Sequence, residues 1–144
     1  MLWKEIRAMK IKFIRYNKDV TIPQRMHHCD TGADIFMPYD GGVTPGNTVV
    51  IKLGFGIDIP NGYTARMQVR TSVAKEGLMI QGCAIDAGYT GELHMIIHNI
   101  SREYYGWRKG DRLGYIEVYP VVYPEFTEDL GKERGKNCFG STGE

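Results

Sequence analysis

The sequence predicts one all-β domain, a sandwich or barrel of short strands with a single short helix. Three features predict this fold class: apolar and polar residues alternate with a two-residue period, turn residues separate the alternating runs, and the 144 residues include 18 glycines and 6 prolines. Such runs are typical of antiparallel strands joined by tight turns. We expect a β-domain over residues 1–130, followed by a C-terminal arm over residues 131–144.

The alternating runs place the strands along the chain. They cover residues 9–13, 49–59, 63–69, 93–97 and 111–119. The longest run is expected to break near Gly54 or Gly56, because glycine weakens a strand interior. The pair Asn61-Gly62 predicts a turn and favours a hairpin.

Two segments differ from this strand pattern. Residues Thr71–Glu76 predict a helix of one or two turns, with Thr71 or Ser72 suited to cap its start and Gly77 suited to end it. The arm has four glycines and no periodicity, which predicts a flexible segment.

Charge and cysteine content narrow the function classes. The formal net charge is +1, so the composition predicts neither a nucleic-acid partner nor a membrane partner. No apolar run approaches the roughly 20 residues of a membrane span, and the N-terminus lacks a signal-peptide pattern. Three widely spaced cysteines without a Cys-x-x-Cys pair argue against a disulfide framework or a zinc site. We predict a cytoplasmic protein, and we therefore interpret the glycosylation sequon Asn99-Ile100-Ser101 as a chance match.

The first segment suited to chemistry is Gly82–Glu92, which places Asp86 at a glycine-rich bend between two strands. A carboxylate exposed at such a bend lies beside open backbone groups that suit a planar base. The alternative is a turn aspartate that bonds to its own backbone, and spacing alone does not separate the two.

Three further segments are suited to binding ions. Arg70, Thr71 and Ser72 stand at the predicted helix start, where free N–H groups favour phosphate; a simple N-cap is the alternative. Asp34 is suited to hold a hydrated Mg²⁺, which prefers oxygen ligands, or it is a turn residue. Residues 138–143 combine glycines with two hydroxyls, a pattern typical of an anion nest; the alternative is a disordered tail.

The order of these segments resembles the five motifs of the trimeric dUTPases. The motifs read T-G-A-D-I around Asp34, R-T-S-V-A from Arg70, I-D-A-G-Y-T-G around Asp86, G-D-R-L from Gly110, and R-G-K-N-C-F-G-S-T-G from Arg134. The likeness spans about residues 9–143. It implies a homotrimer of jelly-roll-like distorted β-barrels that hydrolyses dUTP to dUMP and pyrophosphate with Mg²⁺, which limits uracil incorporation into DNA.

The resemblance also implies a role for each site residue. Asp86 is the general base that activates the attacking water, Tyr89 excludes a 2′-hydroxyl, and Asp34 engages magnesium through a water. The remaining substrate contacts fall to the uracil-reading residues Cys83, Ala84 and His94, to the phosphate-binding residues Arg70, Thr71 and Ser72, and to the arm residues Arg134, Phe139, Gly140, Ser141 and Thr142. The arm is expected to close over the active site of a neighbouring subunit.

Four positions depart from the family pattern. Ser72, Cys83, Gly88 and Tyr115 stand where the family usually has Gly, Gly, an acidic residue and Gln. The I-D-A-G-Y segment leans towards the related dCTP deaminases, but their deaminating glutamate, ten residues after the aspartate, is here Ile96. We expect dUTP hydrolysis. The alternatives are a deaminase-like or bifunctional relative and a non-catalytic nucleotide-sensing regulator, and an added regulatory protein partner stays open.

Overall fold

The computed structural model describes residues 9–82 and 84–128 of the chain. Within these residues the chain forms eleven strands and one short helix, so the all-β prediction is confirmed. The bounds are β1 (Lys12–Arg15), β2 (Ala33–Phe36), β3 (Gly41–Val43), β4 (Thr48–Lys52), β5 (Phe55–Asp58), β6 (Tyr63–Val69), α1 (Thr71–Lys75), β7 (Leu78–Gln81), β8 (Ala84–Ile85), β9 (His94–Asn99), β10 (Tyr105–Trp107) and β11 (Arg112–Pro120). The predicted boundary at residue 130 and the arm over 131–144 lie outside the described residues.

In the described part of the chain the strands form four antiparallel sheets. Their orders are β1-β5, β10-β3, β2-β11-β6-β8 and β4-β9-β7. The longest strand, β11, lies inside the four-stranded sheet and pairs with β6 from Gly114↔Val69 to Pro120↔Tyr63. Short antiparallel sheets agree with the predicted jelly-roll-like class, while the hydrogen bonding runs in separate sheets rather than around one closed barrel.

The two-residue alternation explains where the core lies. In β9 the side chains of Met95, Ile97 and Asn99 are buried, whereas the residues between them are partly exposed. In β6 the buried positions are Ala65 and Met67. Successive side chains of a strand point to opposite faces, so each sheet contributes one apolar row to the interior. The largest fully buried side chains include those of Ile35, Ile51, Leu53, Phe55 and Leu113.

The run 49–59 is interrupted as predicted. Strand β4 ends at Lys52, and β5 begins at Phe55. Gly54, between them, has a φ of +76°, a left-handed conformation that glycine adopts without a steric penalty. The chain therefore turns here and leaves β4 and β5 in different sheets.

Helix α1 confirms the predicted helix but not its cap. The N-cap position belongs to Arg70, and no side chain bonds to the helix start there. Thr71 and Ser72 instead lie in the first turn, so the prediction that one of them caps the helix was wrong. Gly77 follows the helix with a φ of +91°, as predicted for a terminating glycine.

The predicted hairpin at Asn61-Gly62 and the predicted bend at Asp86 are both connections between sheets. The turn at Asn61-Gly62 exists, since the N–H of Tyr63 donates to the carbonyl of Pro60 at 3.2 Å. The flanking strands β5 and β6 nevertheless lie in different sheets. Strands β8 and β9 on either side of Asp86 also pair with different partners. Sequence reasoning recognised both bends but mistook the pairing, because a turn signal is local and the partner of a strand is not.

No helix in the described residues is long and apolar enough to span a membrane.

Candidate active site

The bend that carries Asp86 is fixed at both of its ends beside β5. The N–H of Gly88 donates to the carbonyl of Ile59 at 3.2 Å, and the N–H of Leu93 donates to the carbonyl of Phe55 at 2.8 Å. The N–H of Tyr89 donates to the carbonyl of Asp86 at 3.2 Å, which closes a tight turn. We call residues 86–93 the active loop.

A cavity of about 390 Å³ opens beside the active loop. Four of the predicted site residues line it together, namely Ala84, Asp86, Tyr89 and His94. Its volume falls within the roughly 300–1,000 Å³ that is usual for small-molecule pockets. Asp86 is exposed and Tyr89 is half exposed, so a bound molecule has access to both. We call this space the nucleoside cavity.

One wall of the nucleoside cavity is apolar. Val50 of β4 and Ile96 of β9 are direct cross-strand partners, and both line the cavity. Ile96 occupies the position that would hold the deaminating glutamate, so this wall offers no acid–base group there. His94, two residues before Ile96 on β9, lies on the same face of the strand and also lines the cavity.

The ring of Tyr89 packs on a glycine of its own loop. A Cβ at Gly91 would lie 2.6 Å from the Tyr89 hydroxyl oxygen and 2.8 Å from Cζ. The hydroxyl of Tyr89 donates to the carbonyl of Glu92 at 3.4 Å. The missing side chain at Gly91 therefore sets where the tyrosine ring rests.

A second cavity, of about 730 Å³, lies at the other end of β6. It is lined by Asp34, Arg70, Thr71 and Ser72, and we call it the phosphate cavity. The carboxylate of Asp34 accepts a hydrogen bond and ion pair from Arg112 at 2.9 Å, and its side chain is 14% exposed. The ion pair fixes one carboxylate oxygen, and the partial burial strengthens that contact relative to an exposed pair.

Arg70 is hydrogen-bonded to the backbone around Arg112. Its Nη1 donates to the carbonyl of Arg112 at 3.2 Å, and its own N–H donates to the carbonyl of Leu113 at 2.9 Å. Helix α1 has five residues, so the case for anion binding here rests on the guanidinium groups and on the hydroxyls of Thr71 and Ser72. Two guanidinium groups and two hydroxyls give several donors in one cavity.

Tyr115 lines the phosphate cavity, where the family usually has glutamine. It lies opposite Asp34 in the β11–β2 pair. Its ring packs on Gly32, where a Cβ would lie only 2.1 Å from Cδ2. Burial, and then the negative charge of Glu117, raise the pKa of Tyr115 above its ordinary value, so its hydroxyl remains protonated at neutral pH.

The two cavities are far apart within one chain. Asp34 faces Tyr115 and Tyr115 faces Gln68, while on the far side of β6 Ile85 faces Ala65. Three strand spacings of about 4.8 Å and about four residues along the strand separate Asp34 from Asp86, or roughly 20 Å between the Cα atoms. The two carboxylates of one chain therefore lie too far apart to contact the same small group of atoms.

Several predicted site residues cannot be placed. Cys83 and the arm residues lie outside the described residues; the arm residues are Arg134, Phe139, Gly140, Ser141 and Thr142. Sequence reasoning also gave no role to Arg112 and Gly32, which line the phosphate cavity. Both stand in motifs already recognised, G-D-R-L and T-G-A-D-I, which was the available signal.

Among the described residues, no three His, Cys, Asp or Glu side chains cluster as they would around a protein-caged metal. The phosphate cavity does fit Mg²⁺, which typically takes one or two carboxylates and completes its shell with water and substrate phosphates. The Arg112 ion pair leaves one oxygen of Asp34 for such an ion, and the surrounding donors suit the phosphates that would complete its shell.

Comparison with known proteins gives one consistent answer. The family model described as dUTPase matches residues 18–143. Deoxyuridine 5'-triphosphate nucleotidohydrolase of Clostridium tetani is 32% identical over 142 residues, covering 94% of this chain and 97% of that protein. The mitochondrial protein of the same name from Homo sapiens is 30% identical over 143 residues, covering 96% of this chain. The chain spans 57% of the length of that human protein.

Solved structures of dUTPases are similar to this chain as well. A mutant dUTPase of Staphylococcus bacteriophage 80alpha with dUpNHpp has a TM-score of 0.82 and 26% identity, covering 94% of this chain and 99% of that one. A mutant dUTPase from phage phi11 of S. aureus, described with a structural Mg(II) ion, has a TM-score of 0.79 over 87% of this chain. At 24% identity the second likeness shows the fold alone.

Proposed function

The chain belongs to the dUTPase family, and from this membership we propose that it hydrolyses dUTP to dUMP and pyrophosphate. It is a dUTP diphosphatase. The observation that carries the proposal is the nucleoside cavity, where Asp86, Tyr89 and His94 meet beside an apolar wall. A deoxynucleoside needs such a combination of an apolar surface and a few placed polar groups.

Asp86 acts as the general base. Its exposed carboxylate accepts a proton from a water molecule, and the resulting hydroxide attacks a phosphorus of the triphosphate. The pyrophosphate leaves as the new oxygen–phosphorus bond forms. The turn closed by the Tyr89 N–H and the bond from Gly88 to Ile59 hold this carboxylate in place, which favours a single geometry for attack.

Tyr89 discriminates between deoxyribose and ribose by shape. Its ring rests on Gly91, lines the nucleoside cavity and leaves no room for a 2′-hydroxyl. Ala84 and His94 lie in the same cavity and read the uracil edge together with the backbone near Cys83. The apolar pair Val50 and Ile96 supports the base without supplying an acid–base group.

The phosphate cavity binds the charged end of the substrate. Arg70, Thr71 and Ser72 would donate to phosphate oxygens, and Asp34 would hold Mg²⁺ through a water molecule. When bound, Mg²⁺ neutralises the charge that develops on the phosphates. Arg112 holds one oxygen of Asp34, which leaves the other for that water.

The two cavities act together across a subunit interface. Since roughly 20 Å separates Asp86 from Asp34 within one chain, we assign the nucleoside cavity of each site to one subunit and the phosphate cavity to a neighbour. The homotrimer implied by the family pattern supplies such neighbours. The arm residues Arg134 to Thr142 would close over the site from a neighbouring subunit. We also propose a cytoplasmic location. Both of these statements rest on the sequence.

The first test is pyrophosphate release from dUTP, dCTP, dTTP and UTP in parallel, with and without Mg²⁺. We expect Mg²⁺-dependent release of pyrophosphate from dUTP and little release from dCTP, dTTP or UTP. Binding of dUTP without release would instead make the chain a nucleotide-sensing regulator.

Deamination is tested in the same samples. With Ile96 in the wall of the nucleoside cavity, we expect no ammonia from dCTP. Ammonia release would show that another group of this cavity performs the acid–base step of a deaminase.

A further inference from the structure

We propose that Tyr16 is a positioning residue for the active loop, and that its hydroxyl determines how strictly the site rejects ribonucleotides. The inference rests on the proposed function, since it takes Tyr89 as the group that faces the sugar. Tyr16 lies outside all five sequence motifs and is 53% exposed.

The contact joins two distant parts of the chain. The hydroxyl of Tyr16 donates a hydrogen bond of 2.6 Å to the carbonyl of Thr90, 74 residues later. The backbone of Tyr16 is itself anchored, because its N–H donates to the carbonyl of Gly54 at 2.9 Å. The hydroxyl therefore ties the middle of the active loop to the turn between β4 and β5.

The ring and the loop meet on Gly56 of β5. A Cβ at Gly56 would lie 2.5 Å from the carbonyl oxygen of Gly91, 2.8 Å from that of Thr90 and 3.2 Å from Cε2 of Tyr16. Only a glycine leaves space for these three groups to converge. Backbone bonds at Gly88 and Leu93 hold the two ends of the loop, and Tyr16 holds the segment between them.

This segment is the support of the Tyr89 ring. Thr90 lies between Tyr89 and Gly91, and the ring rests on Gly91. A shift of the Thr90 carbonyl moves that support, so the space next to C2′ of the sugar becomes less strictly defined. Asp86 is held by separate bonds through Gly88 and Tyr89, so reaction with dUTP is affected less than rejection of UTP.

The test compares Tyr16→Phe with a matched control, Tyr39→Phe. The Tyr39 hydroxyl also bonds to backbone, accepting the N–H of Lys52 at 3.1 Å, and it lines neither cavity. We expect the ratio of kcat/KM for dUTP to that for UTP to fall roughly three- to tenfold in Tyr16→Phe, the effect of one lost hydrogen bond. The ratio should not change in Tyr39→Phe. An unchanged ratio in Tyr16→Phe, or an equal fall in both variants, overturns the inference.

A second measurement needs no turnover. Amide hydrogen exchange at Leu93, whose N–H bonds to Phe55, reports directly on the active loop beyond Thr90, and it should be faster in Tyr16→Phe than in the wild type or in Tyr39→Phe. Equal protection in all three proteins contradicts the role of Tyr16. If the wild type fails to hydrolyse dUTP, the proposed function fails instead, and the exchange comparison still decides whether Tyr16 holds the loop.

Discussion

Asp86 combines an exposed side chain with a hydrogen-bonded backbone. As the proposed general base it must meet water and substrate, which its exposure allows. It must also keep one orientation, which the bonds of the active loop favour. Among the described residues no side chain bonds to its carboxylate, which leaves both oxygens open to a water molecule.

The substitution Asp86→Asn removes the proton acceptor and keeps the shape of the side chain. We expect kcat for dUTP to fall by about 10²–10⁴, the usual contribution of a general base. The matched control is Asp58→Asn, an exposed aspartate on β5 that lines neither cavity. Full turnover by Asp86→Asn, measured as pyrophosphate release, would exclude the mechanism.

Asn99 has a purely structural role. It is 1% exposed, and its Nδ2 donates to the carbonyls of Val43 at 3.0 Å and Glu103 at 2.8 Å. Its Oδ1 accepts from the N–H of Ser101 at 2.9 Å and from the hydroxyl at 2.6 Å. The sequon that begins at this residue is therefore part of a buried bonding network, in keeping with our interpretation of it as a chance match.

Asn99→Ala leaves buried carbonyls without their donor. We expect the free energy of unfolding to fall by about 3 kcal/mol, read from urea denaturation at a fixed protein concentration. Asn61→Ala, at an exposed turn position, serves as the control and should change it by less than about 0.5 kcal/mol. A similar small change in both variants would show that the network around Asn99 contributes little.

At the scale of elements, the stability of helix α1 depends on the glycine that ends it. Gly77 has a φ of +91° and lies against the segment that follows β9, where a Cβ would be 2.7 Å from Cβ of Ser101. Gly110 has nearly the same φ, +90°, but a Cβ there meets no heavy atom of the described residues within 4 Å. A side chain at Gly110 would therefore cause backbone strain alone, whereas a side chain at Gly77 would cause the same strain and also a steric overlap with Ser101.

We expect Gly110→Ala to cost about 1 kcal/mol of unfolding free energy, from the left-handed conformation alone. Gly77→Ala should cost about 1–2 kcal/mol more, because Ser101 must also move. Urea denaturation of both variants measures the difference. Equal costs would mean that the contact with Ser101 relaxes freely.

At the scale of the whole molecule, the distance between the two cavities decides whether one chain or two subunits form a complete active site. A subunit with Asp34→Asn keeps an intact nucleoside cavity, and one with Asp86→Asn keeps an intact phosphate cavity. If each site combines two subunits, mixed oligomers contain some sites with both intact halves.

Each variant alone should be nearly inactive. Unfolded together in equal amounts and refolded, they should recover about a quarter of the wild-type rate, the fraction of neighbouring pairs with both intact halves in a random cyclic assembly. Asp34→Asn mixed with Arg70→Ala is the control and should recover nothing, because both defects lie in the phosphate cavity. A mixture of the first pair with no recovered activity would place the whole site within one chain.

Much of the fold and part of the site follow from local sequence. Alternation predicted β1, β4, β5, β6, β9 and β11, including the break near Gly54, but it missed the shorter strands β2, β3, β7, β8 and β10. Glycine preference predicted the end of α1 at Gly77. The bend at Asp86 was also predicted, since turn chemistry depends on a few adjacent residues. The hairpin at Asn61-Gly62 was wrong, because sheet partners depend on contacts between distant segments.

The sequence by itself determined which side chains face the interior and which chemistry-bearing residues the chain carries. Only the tertiary structure decided that Asp86 and Asp34 lie in different cavities, that Arg112 pairs with Asp34, and that Tyr16 reaches Thr90. The physical reason is that periodicity records the burial of one face of a strand, whereas the choice of partner strand and loop contact is made by the packing of the whole chain.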